Sequence, residues 1–562
     1  MRNLAIAIGM LICVPMGLFA QDSIRGVVYG ALDGKSEPLV GASVFWMGTQ
    51  VGSNTTNDGQ FVVVRPKGAH MLIASFIGFK SDTIHVSDSR KKITFKLRES
   101  GEELQEVVVR DNQQASAIQK RDVGLTQLIT ARELTKAACC NLSESFETNP
   151  AIDASYTDAV TGTRTIRLLG LDGPYSFYTR GNIPTLWGLS SVLGLQLIPG
   201  SWIQSIQLTK GSGSVVNGFE SISGQVNYEL RSPTTNEKLY VQLYANNNGR
   251  FEQSGVIPVK LNEKWSTNFM LYGRQGALNA DFNKDGYLDV PQGNMYIFQN
   301  TWSYQGTKGW ESQFGVEWAD SKQRGGQIDG ENSTPENPKW VADQNTQRIE
   351  YWHKLGYVFN SPGRSFGMQW AANYHTQQSD FGVPGVKTYS GQERDVYFNA
   401  IFQDIIKTSD HQYKVGASFK GMYMDETYLA QQYNRDESIP GIFGEYTYLF
   451  KDKWTVVAGL RTDFHNLYGT FVTPRLHVRY APAEKHTFRF NVGKAYRTPN
   501  LFADNIGSMA NNRTWFIELA DSSLPYNGAK LEASVNAGIS YTYATEWDFR
   551  PVAIRAEYFF TT

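Results

Sequence analysis

At 562 residues the chain is long enough for several domains or for one large barrel. Its 53 basic residues balance 54 acidic ones, which implies no polyelectrolyte partner such as nucleic acid. A mean hydropathy of −0.37, with no apolar run of ~20 residues beyond the amino terminus, excludes a helical-bundle membrane protein. The 29 Tyr, 13 Trp and 52 Gly fit a transmembrane β-barrel, in which every second strand residue faces the lumen, and equally a secreted β-sandwich.

Residues 1–20 read as a secretory signal. Arg2 supplies the charged start, and residues 4–19 form an apolar run too short and wrongly flanked to span a membrane. Cleavage after Ala20 leaves Gln21 first. Cys13 lies inside the apolar run, not before a lipidation cut. Only Cys139 and Cys140 then remain in an exported chain, so disulfides do not hold it together.

Residues 21–99 predict a small β-sandwich. Strand-like runs recur at 24–29, 42–46, 59–64, 70–76 and 92–97, separated by turn chemistry that includes Asp58 and Gly59. Asp58 is read as a turn residue, not a ligand. The segment GVVYGALDGKSEPLVGASVFWMGTQVGSNTTNDGQFVVV resembles the carboxypeptidase-regulatory-like domain of Bacteroidetes receptors. That resemblance implies no catalysis, and no residue here supplies any.

Residues 100–119 form a linker. Within it GEELQEVVVR leads from polar residues into a short β-branched run. The run reads either as a last sandwich strand or as an extended unpaired segment. Short helical signals follow. Thr130 and Glu133 have capping-box spacing, and Leu134, Ala137 and Ala138 offer a small apolar face. A second start at Ser143 runs to a stop at Asn149 and Pro150. Cys139 and Cys140 are adjacent. Soft thiolates ligate copper or zinc, so a metal relay is one reading. Without CxxC spacing or a nearby His, a vicinal disulfide or a pair of buried thiols is preferred.

Residues 164–230 alternate short β-like runs (165–169, 203–208, 224–230) with Gly, Pro and Ser breakers, and no helix of ordinary length fits between them. IRLLGLDG, YTRGNIP and IPGSWIQSIQLTKGSGSVVNGFESISGQVNYEL resemble the plug of TonB-dependent outer-membrane receptors. The resemblance implies a plug over residues 120–231. It also places a TonB box at Leu104, Gln105, Glu106, Val107, Val108, Val109 and Arg110. Its role would be strand addition to a periplasmic partner, the energising TonB–ExbB–ExbD complex. The glycines of GSGSVVNG lack the GK[ST] of a phosphate loop and are read as plug turns.

From residue 232 onward, runs of roughly 10–16 residues alternate apolar and polar positions, as tilted barrel strands do. Val241, Leu243 and Ala245 share one face, and so do Phe269, Leu271 and Gly273. Short connections (262–264, 306–309, 361–364, 451–453, 483–485) should be periplasmic. Longer ones (277–293, 325–345, 381–390, 501–527) should be extracellular, with Trp and Tyr girdles at strand ends. About fifteen strands precede Thr562, where the resemblance implies twenty-two. The sequence therefore reads as truncated relative to its family, or as completed by another chain. The fold class is mainly β: a β-sandwich, then an α+β plug inside a transmembrane antiparallel β-barrel.

Among candidate sites, DFNKDGYLD is the sharpest. Asp281, Asn283 and Asp285 alternate, Gly286 follows, and Asp289 stands at the ninth position, as in the first half of a calcium loop. Gln292 takes the place of the closing Glu. Structural Ca2+ and a plain Asp/Asn/Gly turn both remain open. His465, His477 and His486 show no ligand spacing and read as lumen or interface residues. No catalytic constellation appears, so the chain is not read as an enzyme. The resemblance implies an outer-membrane receptor, set in lipid, that imports a small ligand. A metal chelate (siderophore, cobalamin or another metal complex) is favoured, with a surface lipoprotein as a further partner. An oligosaccharide importer and a non-transporting surface receptor or adhesin are the alternatives. Arg324, Asp329, Trp340, Tyr389 and Arg394 are the candidate ligand contacts.

Overall fold

The computed structural model describes residues 23–562 except 33–34, 50, 57, 67, 77–78, 88–91, 100–115, 119–122, 137–140, 148, 159, 236, 277, 329–333, 335–337, 452, 512, 519–520 and 548–549. The chain divides into two compact units, Met1–Asn112 and Gln113–Thr562. The signal segment, the Leu104 to Arg110 segment, Asp329 and the Cys139 and Cys140 pair lie outside the described residues.

In the first unit, hydrophobic alternation builds two packed sheets. The strands are β1 (Ser23–Leu32), β2 (Lys35–Pro38), β3 (Ser43–Trp46), β4 (Gly52–Asn54), β5 (Gln60–Val64), β6 (Met71–Ser75), β7 (Phe79–Lys80), β8 (Asp82–His85) and β9 (Ile93–Glu99). β1 takes β2 and β5 antiparallel along one edge and β9 in parallel on the other. The second sheet runs β4-β3-β6-β8. Phe61 and Val63 of β5 point inward, while Gln60, Val62 and Val64 point out. Trp46, Phe61, Leu72 and Phe95 fill the space between the sheets. The buried Trp46 indole donates to the Val64 carbonyl (2.9 Å), which satisfies its one polar group. β2, β4, β7 and β8 are too short to show a period in sequence.

The second unit opens with β10 (Ser116–Ile118), β11 (Thr126–Thr130), β12 (Asp153–Tyr156), β13 (Arg164–Arg167), β14 (Ser176–Arg180), β15 (Ile183–Pro184), β16 (Ile203–Lys210) and β17 (Gly224–Leu230). Six of these form one sheet, in the order β10-β11-β16-β17-β14-β15, and β12 pairs with β13. A six-residue helix, Ala131–Lys136, starts one residue after Thr130. Elsewhere in these connections helix is limited to short 3-10 turns, three of them between β15 and β16. In the turn Glu144–Phe146 the Ser143 side chain makes no cap; Asn141 Oδ1 accepts the Glu144 N–H instead (3.1 Å). Ile166, Tyr178, Leu195, Ile206 and Val226 pack into one core. Burial pushes the Tyr178 hydroxyl pKa up.

The rest is one antiparallel sheet whose strands follow each other in chain order. These are β18 (Tyr240–Ala245), β19 (Arg250–Lys260), β20 (Trp265–Gly276), β21 (Gln292–Gln305), β22 (Trp310–Gly326), β23 (Val341–Val358), β24 (Ser365–Gly382), β25 (Lys387–Ile406), β26 (Thr408–Tyr428), β27 (Gln431–Phe450), β28 (Trp454–His465), β29 (Gly469–Ala483), β30 (His486–Arg497), β31 (Glu532–Trp547) and β32 (Arg550–Thr561). The pattern is inside-out relative to a soluble protein. Leu243, Leu271, Phe298, Val316, Ile349 and Val396 are exposed on one face, while Glu252, Asn268, Glu317, Glu350 and Glu393 are buried on the other. An apolar outer face and a polar inner one are what lipid outside and a plugged lumen inside require.

Aromatic pairs line the end with short turns. Trp265 meets Tyr304 (4.8 Å between ring centroids), Trp310 meets Tyr357 (4.8 Å) and Trp454 meets Tyr480 (4.1 Å). His486 joins this belt, with Nδ1 2.8 Å from the Tyr541 hydroxyl.

Two expectations need correction. Residues 381–390 are not a long loop: β24 runs to Gly382 and β25 starts at Lys387. Gly382 (φ +87°) and Gly385 (φ +79°) turn the chain tightly, and the Asp380 carboxylate accepts the Gly385 N–H (2.6 Å). The strands β22 to β27 also reach 17–21 residues, beyond the expected 10–16. On β23 the outward residues change from Tyr351 and Ile349 to Gln347, Asn345 and Asp343. Apolar–polar alternation stops where the strand leaves lipid, although the hydrogen-bond ladder continues.

Candidate functional site

The plug sheet sits against the inner face of the barrel strands, held there by buried ion pairs and by apolar clusters shared with the wall. Arg180, at the end of β14, is buried. It bonds Glu350 of β23 (2.5 Å), lies 3.5 Å from Glu317 of β22 and stacks over Trp352 (5.0 Å). Arg348 pairs with the other Glu350 oxygen (2.8 Å) and donates to the plug carbonyl of Thr185 (2.8 Å). The neighbouring plug turn continues the pattern: the Leu189 N–H donates to Glu393 (2.7 Å). Gly188 there has φ +55°, and a Cβ would overlap the Glu393 carboxylate. Farther round the wall, Lys420 pairs with Glu220 (2.7 Å), the Ser214 hydroxyl donates to Glu445 (2.6 Å) and Arg475 donates to the Ser214 carbonyl (2.8 Å). The plug is thus tied on several sides by hydrogen-bonded polar groups. Apolar clusters add adhesion: Leu197 and Trp202 pack with Met270, Tyr272 and Ile297, Ile183 and Trp187 with Trp352 and Tyr397, and Val215 with Phe443.

At the end carrying the long connections, residues 498–531 fold back over the plug. Phe502 is buried among Tyr389, Tyr428, Tyr433, Trp515 and Tyr526, and the same cluster takes in Leu189, Val192 and Leu193 of the plug. The Ser191 hydroxyl of the plug donates to Asp504 (2.8 Å), which Arg497 also bonds. Lys387 donates to the carbonyls of Met509 (2.8 Å), Asn511 (3.0 Å) and Arg513 (2.6 Å). Tyr389 and Tyr526 both donate to Glu426 (2.7 and 2.5 Å).

Beside this cover, a cavity of about 340 Å³ opens between the plug and the first barrel strands. Its plug wall includes Tyr156, Asp158, Arg164 and Gln196; its barrel wall includes Arg250, Arg274, Asp289 and Gln323. That volume suits a small molecule. Gln323 donates to Gln196 (3.0 Å) and Arg250 bonds Glu144 (2.9 Å), so two walls of the cavity are joined across the plug–barrel boundary. Arg164 stacks on Tyr156 (4.5 Å) and bonds Glu147. Burial would lower the Arg164 pKa, but Glu147 and Glu144 outweigh it and raise the value.

Of the residues singled out in sequence, Asp289 lines this cavity. Its loop is an Asx lattice. Asp281 accepts the N–H groups of Asp285 (3.1 Å) and Gly286 (3.0 Å), Asp285 accepts that of Tyr287 (2.8 Å), and Asp289 accepts that of Phe282 (2.6 Å). Asn283 donates to Asp285 (3.0 Å). Among the described residues no three His, Cys, Asp or Glu side chains are grouped to hold a metal. The expected ligand contacts lie elsewhere. Tyr389 is buried, Arg324 pairs with Asp343 (2.7 Å), Trp340 packs into the apical cover, and Arg394 lies on the outer face of β25 near Tyr374 (5.9 Å). His465 is buried 3.9 Å from Glu437, and His477 faces the plug. Arg164, Arg250 and Arg274 carried no sequence signal. Arg250 bonds Glu252 two residues on and Glu144 106 residues back, Arg164 bonds Tyr156 and Glu147 8 and 17 residues back, and only the fold brings the three arginines to one space.

The chain matches the family described as CarboxypepD_reg-like domain over residues 24–109. It matches that described as TonB dependent receptor-like, beta-barrel, over residues 217–562. No curated protein matches it. Similar solved structures include a mutant of the ferric enterobactin receptor PfeA from Pseudomonas aeruginosa (14% identity, TM-score 0.60, 77% of this chain and 70% of that one). Another is P. aeruginosa FpvA bound to heterologous pyoverdines (12%, 0.60, 79% and 63%). The siderophore receptor PirA from Acinetobacter baumannii is similar too (15%, 0.57, 76% and 69%). The chain thus spans 63% of the FpvA chain and 70% of the PfeA chain. At such identities the likeness shows a shared fold.

Proposed function

The chain belongs to the TonB-dependent receptor family, whose members are outer-membrane proteins and not enzymes; on that premise we propose that it imports a small ligand, a metal chelate of the siderophore or cobalamin kind. The observation that carries this reading is the ligand-sized cavity shared by plug and wall. A molecule there touches the part that must move as well as the part that stays. Ligand binds from outside. The TonB–ExbB–ExbD complex then grips Leu104 to Arg110 by strand addition and draws on the plug. The hydrogen-bonded ties of plug to barrel can pass to water as they break, whereas the apolar contacts of Trp202, Trp187 and Val215 with the wall resist release. The siderophore receptors of similar fold support the choice of cargo. The Asx bonding at Asp281 and Asp285 supports a rigid turn at the cavity mouth in place of a calcium loop.

The test uses cells expressing the full-length protein and radiolabelled iron presented as ferric citrate. Deleting residues 104–110 should abolish accumulation and leave surface binding intact. Undiminished accumulation would remove the import reading and leave a binding receptor.

A further inference from the structure

The cavity's charges narrow the chemistry of what it holds. Arg164 and Arg250 are neutralised within the protein: Arg164 by Glu147, with its second nitrogen on the Tyr156 hydroxyl (2.7 Å), and Arg250 by Glu144 (2.9 Å) and Glu252. The lining carboxylates are engaged as well. Asp158 accepts the N–H groups of Val160 (2.8 Å) and Thr161 (2.6 Å), Asp289 that of Phe282, and Glu144 an Asn141 amide proton (3.1 Å).

Arg274 is different. It stands half-buried on the lumen face of β20, in line with the buried Met270 and Tyr272. Its register partners are Glu252 on β19 and Met295 on β21. The Glu252 carboxylate is turned to Arg250, and Met295 offers no charge. Among the described residues Arg274 makes no hydrogen bond or ion pair, yet it lines a cavity of about 340 Å³. A half-buried guanidinium with no acceptor bonded to it, beside Arg250 and with Glu252 and Glu144 acting on it only from a distance, is poorly satisfied, and its planar fork fits two oxygens of one anion.

We propose that Arg274 is the anion subsite of this cavity, and that the ligand presents a carboxylate to it. The proposal rests on the cavity being the ligand site of the importer. Citrate, a compact tricarboxylate, is the probe, its neutral triethyl ester the control, and inorganic phosphate the second oxyanion. Each is titrated calorimetrically into the full-length protein in detergent. Citrate binds the wild type; Arg274→Gln weakens it at least ~10-fold, and Arg274→Lys, which keeps the charge without the fork, loses less. The ester does not bind. Arg394→Gln, on the outer face of β25, binds citrate like the wild type. Phosphate that binds more weakly than citrate supports a carboxylate site; phosphate that binds tighter overturns the carboxylate assignment.

Three other results overturn the subsite: no citrate binding up to ~10 mM, equal binding by Arg274→Gln, or equal binding of the ester. Unchanged heat-dependent gel migration of both Arg274 variants guards against misfolding. The two readings fail separately. If Arg274→Gln binds citrate like the wild type while deletion of residues 104–110 still abolishes ferric citrate accumulation, import stands and the anion subsite falls. If accumulation survives the deletion, import falls whatever citrate does.

Discussion

Replacing Arg180 by Ala tests how the plug is held. The local cluster sets Arg180 and Arg348 against Glu317 and Glu350, all buried. Removing Arg180 leaves it one negative charge in excess. Glu350 keeps Arg348 (2.8 Å), so the orphan is Glu317, and the contact with Trp352 is lost as well. Breaking one side of a buried pair costs about 3–5 kcal/mol. Because Glu350 stays paired, the lower end applies, ~3 kcal/mol, or ~10²-fold in the population of plug open to solvent. Trypsin reads that population, since cleavage follows opening when reclosing is fast. Arg164, Arg167, Lys210 and Arg231 offer cleavage sites within the plug and at its exit. Arg180→Ala should be cut ~10²-fold faster than wild type, and Arg180→Lys at an intermediate rate. Arg180→Met combined with Glu317→Gln removes both charges and should recover most of the loss. Heat-dependent gel migration of the barrel should not change. Unaltered cleavage of the Ala variant, or a double variant as labile as the single, would refute the charge-lock account.

Lys387→Met deprives three carbonyls of the apical cover of their donor; amide exchange at residues 509–515 should quicken by ~10-fold or more. Tyr526→Phe removes one of two hydroxyls on Glu426 and should cost about 1–3 kcal/mol of thermal stability, seen as a lower melting midpoint. Gly188→Ala forces a side chain onto Glu393 at a left-handed position; the variant should assemble a normal barrel but show faster plug proteolysis than wild type. With the Asx lattice intact, millimolar calcium should move the melting midpoint by no more than about 1 °C. A larger shift that Asp281→Asn abolishes would restore the calcium loop.

Much of the architecture is legible in the sequence because lipid imposes a simple code. Leu243, Leu271 and Ile349 alternate with polar neighbours, and the ladder follows from that period alone. The code fails where lipid ends. Above Ile349 both faces of β23 are polar, so the strand's upper third reads as loop. Val383 to Val386 likewise look like part of a long connection, since a four-residue turn and polar strand ends share one composition. The site is less legible. Arg180 sits inside a recognisable plug segment, but its partners are 137 and 170 residues away, and nothing local marks Glu317 or Glu350. Tyr389 looked like a surface aromatic and is buried, because residues 498–531 fold over it. Such placements depend on how the sheet curves around the plug, which no window of sequence contains.

The order of the plug sheet bears on how it can be drawn out. β14, β16 and β17 each pair with two strands, whereas β10 pairs only with β11 among the described residues. The segment nearest the proposed grip is therefore an edge strand, and edge strands leave a sheet at the loss of one ladder. Once β10 has gone, β11 is the edge, held by β16 alone. A cavity of about 300 Å³ lies against that ladder, between Thr126, Gln207 and Thr209 of the plug and Glu445, Val457 and His477 of β27, β28 and β29. Its polar walls can already accept water, so stripping β11 enlarges a wet space, although it also uncovers Ile129 and its partner Ile206 in the plug core. Traction from the amino-terminal side thus meets its weakest pairing first and opens the barrel where solvent is easiest to admit. The Arg180 cluster, on β14 at the far side of the sheet, can stay in place. A cysteine pair that cross-links β11 to β16 should then block uptake, and one that joins β14 to β17 should slow it less.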